Sequence, residues 1–375
     1  MSDEDCANPC HPCYESRVMD DGTRMQGADE DRASSETSEL SNQARLFVGG
    51  TATGIGSLPH RNAVEAAEFA LRATPDLPCI PTLPKLSPAE GMIAQAVVGM
   101  QGVSLGQYGS LMVDADRIDP EMPVTTDVDH GAFSGLRAFL EVARGRSGPV
   151  KWQFTGPVTL GTALRRAGVP AEIAFEVATS TVRSHVAAIH ALVRHELPQC
   201  PQVVFIDEPD LSPLMDESFP IAPETAVDLM SGALAIVESG ATMGLHSCGS
   251  VDPAILSATG PAVLSLPVSQ KLVAHAGAIG TFLDRGGVIA WGVVPTHGPV
   301  MASAERSWKK LGALWCDLVQ AGCDAMRLRQ QSLVTPACGL ANHTETTAEI
   351  VYAQVRDIGE RVRTQAVATR LTVGA

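Results

Sequence analysis

The chain has 375 residues, 45% of them hydrophobic, and a formal net charge of −15 from 27 Lys and Arg against 42 Asp and Glu. That length buries the core of one large barrel or of two average domains, while the acidic balance argues against a phosphate-backbone partner, whose capture needs clustered cations. No run of about 18 uncharged apolar residues offers a membrane span, and the opening MSDEDCANPC is acidic where a signal peptide is basic and then apolar, so a cytoplasmic protein with no membrane partner is expected.

In chain order, residues 1–45 come first, with eleven Asp or Glu, four Arg and few large apolar side chains. Such a composition does not bury enough surface to offset chain ordering, so a disordered acidic tail is expected. Residues 46–375 alternate β-rich runs with amphipathic helical segments, the pattern of parallel strands joined by helical crossovers. The strand candidates are GIGS (54–57), KWQFTG (151–156), QVVFID (202–207), TMGLHS (242–247), AVLSLP (262–267), VIAWGV (288–293) and SLVTPA (332–337). An eighth is placed near PTLPKL (81–86), where prolines blur the signal. Between them, Ala226, Met230, Ala233 and Val237 mark one helix face, and Trp308, Leu311, Trp315 and Leu318 another that stops at Gly322. Eight strands with intervening helices imply an α/β fold, a (β/α)8 TIM barrel.

In such a barrel the loops after the strands build the active site, so polar residues that follow apolar runs carry functional weight. Here they are Ser57, Thr155, Asp207, Glu208, His246, Cys248, His297 and Cys338. The pair His246–Cys248 in LHSCGS reads either as half of a metal site or as two core residues. With Cys338 at another strand end, one imidazole and two thiols are available. Catalytic zinc is commonly held by three such donors with a fourth position open, and barrel topology brings distant strand ends to one rim.

The motifs GIGSLPH, FTGPVT, IDEP, HSCGS, GVVPTHGP and TPACGL occur in the order and at the separations found in the catalytic domain of cobalamin-independent methionine synthase, which the chain resembles over roughly residues 50–345. That resemblance extends to a superfamily that includes uroporphyrinogen decarboxylase, and it implies the (β/α)8 barrel. It further implies that His246, Cys248 and Cys338 are ligands of Zn2+, and that a methyl group passes to a thiol, homocysteine giving methionine. In this pattern Asp207 holds the acceptor's amino group, Ser57 meets its carboxylate end, Glu90 in SPAEGMI matches an acidic substrate-binding loop, and His297 donates a proton to the leaving group. A thiol with a pKa of about 8.5 is mostly protonated at neutral pH, and coordination to zinc makes it a thiolate. On the residues alone, Asp207 and Glu208 also suit a helix start or an ion pair, Ser57 a Gly-rich turn, and His297 a surface loop. The chain departs from the family in three ways. AVLSLPVS lacks a carboxylate where the family adds a glutamate ligand, Ala163 stands near the place of a folate-stacking tryptophan, and the N-terminal half of the long enzyme is not represented. The methyl donor is therefore expected to be methyl-tetrahydrofolate or a methylcorrinoid protein.

Other motifs fare less well. Cys6, Cys10 and Cys13 have the C-x3-C-x2-C spacing of an iron–sulfur loop but lie in the polar tail, where a peripheral metal site or reactive thiols are the alternatives. His185, His190 and His195 recur every fifth residue, and about 100° per residue puts them on different helix faces. There is no dinucleotide fingerprint and no phosphate-binding Walker loop. Two alternative functions stay open at this stage. A decarboxylase of the uroporphyrinogen type predicts arginines at the barrel mouth, and a non-catalytic zinc or corrinoid-partner module predicts metal without turnover.

Overall fold

The computed structural model describes residues 46–373 apart from 107, 108 and 123, with the backbone alone after residue 364. The acidic segment and its three cysteines lie outside the described residues. Seven parallel strands form one sheet in the order β1 (Thr51–Ala52), β9 (Ser332–Pro336), β8 (Val288–Val294), β7 (Val263–Pro267), β6 (Ala241–His246), β5 (Gln202–Asp207) and β4 (Val150–Thr155). A two-stranded antiparallel hairpin, β2 (Val103–Leu105) and β3 (Leu111–Val113), lies between β1 and β4 in the chain.

Residues 78–82 close the barrel. Ile80 N–H donates to Lys151 O and Lys151 N–H to Pro78 O on one side, while Leu58 N–H donates to Thr82 O and Thr82 N–H to Gly56 O on the other. Bridges Cys79↔Lys151 and Ser57↔Thr82 are both parallel. This is the eighth strand position, expected at 81–86 and found a few residues earlier. Pro78 and Pro81 have no N–H to give, so the segment makes isolated bridges in place of a regular ladder. The fold is thus the expected α/β barrel.

Two apolar clusters hold it. The larger lies between the strands and the surrounding helices, with Trp152, Phe154, Ile206, Leu245 and Trp291 facing outward. The smaller, including Leu77, Val203, Phe205, Val288, Ala290 and Leu333, fills the inside of the barrel toward the amino ends of the strands. Period-two alternation separates the two sets, since neighbouring residues of a strand point to opposite faces. The helix Glu305–Gln320 buries Leu311, Leu314, Trp315 and Leu318, and Pro223–Leu234 buries Ala226, Met230 and Ala233, as their spacing requires. Among the described residues no helix is long and apolar enough to cross a membrane.

Candidate functional site

Register places the polar strand ends side by side. Thr155 pairs with Asp207, Asp207 with His246, and His246 with Ser265, giving one row across β4, β5, β6 and β7 at their carboxyl ends. Above this row is a cavity of about 180 Å³ whose lining includes Ser57, Gln95, Gln153, Asp207, His246, Cys248 and Cys338. A cavity of about 150 Å³ accepts a benzene ring, so this one suits an amino-acid side chain.

The imidazole of His246 is buried and its Nδ1 is 2.8 Å from Ser265 Oγ. That contact commits one ring nitrogen and leaves Nε2 for another partner, the arrangement seen when a second residue orients a metal-binding histidine. Cys248, two residues beyond β6, and Cys338, two beyond β9, are half-buried free thiols. They interact with each other, and Cys338 also with His246. Contact with Cys248 first, and then with His246, drives the Cys338 thiol down, whereas contact with Cys338 together with burial drives Cys248 up. The two sulfurs therefore titrate as a pair in which one thiolate is favoured. Three donors of the type zinc prefers meet at one rim. They meet pairwise: among the described residues no three His, Cys, Asp or Glu side chains form a ready cage for a metal ion. On donor chemistry the set fits Zn2+, with two thiols, an imidazole nitrogen that Ser265 does not use and a cavity beside them.

The adjacent carboxylates of IDEP have different surroundings. Asp207 is buried but faces the cavity, and its Oδ1 has no hydrogen-bond partner among the described residues. Burial raises its pKa to about 6, against the lowering pull of His246 and Lys151. Glu208 points the other way. Its Oε1 accepts from Val158 N–H at 3.0 Å and its Oε2 from Thr159 N–H at 2.7 Å. It thereby caps the helix Pro157–Arg166, which has no side-chain cap of its own. The approach is so close that a Cβ on Gly156 would fall 2.1 Å from Glu208 Oε1, so only glycine fits there. For Glu208 the helix-start reading is the correct one.

Two other expected site residues stand apart from the cavity lining. Glu90 is buried with its carboxylate committed to backbone, accepting from Leu83 N–H at 2.5 Å and Gly135 N–H at 2.8 Å. It braces the loop after the eighth strand position. His297 lies exposed on the loop that follows β8. Ser57 does line the cavity, packed so closely on Gly339 that a Cβ there would lie 1.9 Å from its Oγ.

The sequence reading missed Gln95, Gln153 and Ser265. A signal existed for two of them. Strands buried on both faces of an α/β barrel read as nearly continuous apolar runs, and KWQFT breaks that rule with Lys151, Gln153 and Thr155 at every second position, as AVLSLP does with Ser265.

The family described as "Cobalamin-independent synthase, Catalytic domain" matches residues 139–361, a span containing Thr155, Asp207, His246, Cys248 and Cys338. The chain belongs to this family. Membership puts this cobalamin-independent synthase domain among methionine-synthase-like methyl-transfer proteins. No curated protein matches the chain. Among solved structures, a protein from Listeria monocytogenes described as a vitamin-B12-independent methionine synthase aligns with a TM-score of 0.51 at 13% identity, covering 84% of this chain and 97% of that one. At that identity the likeness concerns the fold. A psychrophilic family 10 endo-β-1,4-xylanase aligns with a TM-score of 0.41 at 9% identity, covering 84% of this chain and 99% of that one.

Proposed function

We propose that this chain is a zinc-dependent methyltransferase that alkylates a thiol, with homocysteine as acceptor and methionine as product. The observation that carries the reading is the meeting of His246, Cys248 and Cys338 from two distant strand ends beside a cavity whose one buried carboxylate, Asp207, has an unpartnered oxygen. Family membership supports the same chemistry. His246 through Nε2, Cys248 and Cys338 would hold the ion, with Ser265 orienting the imidazole. When bound, zinc would keep the acceptor sulfur as a thiolate and fix it in place.

The protein's own groups do the rest. Asp207 Oδ1 accepts a hydrogen bond from the acceptor's ammonium, which gives the buried carboxylate the partner it lacks. The cavity seats the acceptor's side chain, and the methyl donor approaches from its open mouth. On that side the exposed His297 has the residue type for delivering a proton to the donor's leaving atom. The family match speaks for a folate donor and gives no support to a corrinoid protein. Among the described residues no arginine or lysine lines the cavity, which disfavours the polycarboxylate substrates of a uroporphyrinogen decarboxylase.

The test measures bound zinc in the wild type, Cys248→Ser and Cys338→Ser, then homocysteine methylation with methyl-tetrahydrofolate and with methylcobalamin. Zinc near one equivalent in the wild type, lost in both variants together with methylation, is expected. Zinc retained by both variants would remove the ligand set, and zinc without methylation by either donor would leave a binding module in place of an enzyme.

A further inference from the structure

Beneath the cavity lies a charged group that the proposed chemistry does not use. Lys151 is fully buried inside the barrel, where a lysine is rarely found without a carboxylate partner. Its Nζ instead donates to Gln153 Oε1 at 2.6 Å and to Cys79 Sγ at 3.5 Å, and sits 4.3 Å from the centroid of the Phe205 ring. Among the described residues it forms no ion pair.

The bond to Gln153 determines which end of that amide faces the cavity. An ammonium only donates, so the oxygen must turn toward Lys151 and the NH2 group away from it. Gln153 Nε2 has no hydrogen-bond partner among the described residues and lies against Gly56, where a Cβ would be 2.4 Å away. It is thus next to Ser57, on the cavity wall. Gln95 is held in the opposite sense. Its Nε2 donates to Ala132 O at 2.6 Å, so its oxygen is the atom left for the cavity. One part of the wall therefore offers donors, Gln153 Nε2 and Ser57 Oγ, while Gln95 Oε1 and Asp207 Oδ1 offer acceptors. An α-amino acid has the complementary pair of ends.

We infer that Gln153 Nε2 recognises the carboxylate of the acceptor amino acid, and that Lys151 is a positioning residue that locks the Gln153 amide in the donor orientation. The inference rests on the acceptor reading above and extends it to residues that neither the motifs nor the family match assigns. Gln153→Glu is the decisive variant, because it keeps the shape and the Lys151 partner while turning the donor into an acceptor. Binding to the purified protein is measured by calorimetry for homocysteine, for aminopropanethiol, which lacks the carboxylate, and for mercaptobutanoate, which lacks the amino group.

Gln153→Glu is expected to weaken homocysteine and mercaptobutanoate by about tenfold or more, the scale of one hydrogen bond to a charged group, and to leave aminopropanethiol unchanged. Gln153→Met should do the same with Lys151 intact. Lys151→Met, if it folds, should show the same selective loss in weaker form, since the Cys79 thiol, 3.6 Å from Gln153 Oε1, then holds the amide alone and more loosely. Equal weakening of all three thiols, or no weakening of any, overturns the inference while the methyltransferase reading stands. Failure of the wild type to bind homocysteine at all overturns both.

Discussion

Replacing Glu208 by alanine isolates a structural carboxylate one residue away from a functional one. The substitution removes two charge-assisted hydrogen bonds to Val158 and Thr159, at 3.0 and 2.7 Å. It leaves two buried N–H groups at the start of the Pro157–Arg166 helix without partners, each costing about 1–3 kcal/mol, and a small void in addition. A loss of about 3–5 kcal/mol follows, which for a domain of this size lowers Tm by about 4–7 °C. Glu208→Gln, which keeps one acceptor oxygen, should lose about half as much. Gly156 supplies an internal control. Gly156→Ala places a methyl 2.1 Å from Glu208 Oε1 and destabilises the wild type, but the clash vanishes when Glu208 is already alanine. Urea unfolding of the two single variants and the double variant closes a cycle whose coupling should exceed about 1 kcal/mol. By contrast Asp207→Asn, at a buried carboxylate whose Oδ1 has no hydrogen bond to lose, should leave stability equal or higher while abolishing acceptor binding. Additive Gly156 and Glu208 effects, or an Asp207→Asn protein as unstable as Glu208→Ala, would refute this division of labour.

Other outcomes are open to measurement. Burial lowers the pKa of His185 to about 4 from 6.5, with the Val98 and Ala96 carbonyls only partly offsetting it. The unfolded chain then takes up a proton below pH 6.5 that the native state refuses until pH 4, so stability from this group is present above pH 6.5 and lost as pH falls, by about 3 kcal/mol in total. The stability difference between wild type and His185→Gln, followed by urea unfolding from pH 7.5 to 4, should shrink by that amount. Taking the difference cancels Asp207 and Glu208, whose raised values of about 6 and 7 act in the opposite direction. Ser265→Ala should weaken zinc about 10- to 100-fold in chelator competition with the fold intact, because the His246 ring loses its fixed orientation.

Short β-rich runs between amphipathic helical segments, and the polar residues that follow them, were readable in the chain itself. They located six of the eight barrel positions, placed the first at 54–57 where the ladder runs over Thr51–Ala52 and Ser57 makes an isolated bridge, put Asp207, His246, Cys248 and Cys338 at strand ends, and supported the family resemblance that the match over residues 139–361 bears out. Periodicity states which side of a strand a residue occupies, and that follows from local backbone geometry alone. What a side chain meets across the barrel depends on contacts between segments far apart in sequence, and only the tertiary structure decides those. Asp207 and Glu208 are neighbours in one short motif, yet one opens onto a cavity while the other reaches 49 residues back to cap a helix. Glu90 looks like a substrate ligand until the Leu83 and Gly135 amides are seen to occupy it. Pro78–Thr82 closes the barrel although its prolines hide the strand, and the face that Gln153 shows to the cavity is set by a buried ammonium whose pairing becomes evident only when the strands are wrapped into a barrel.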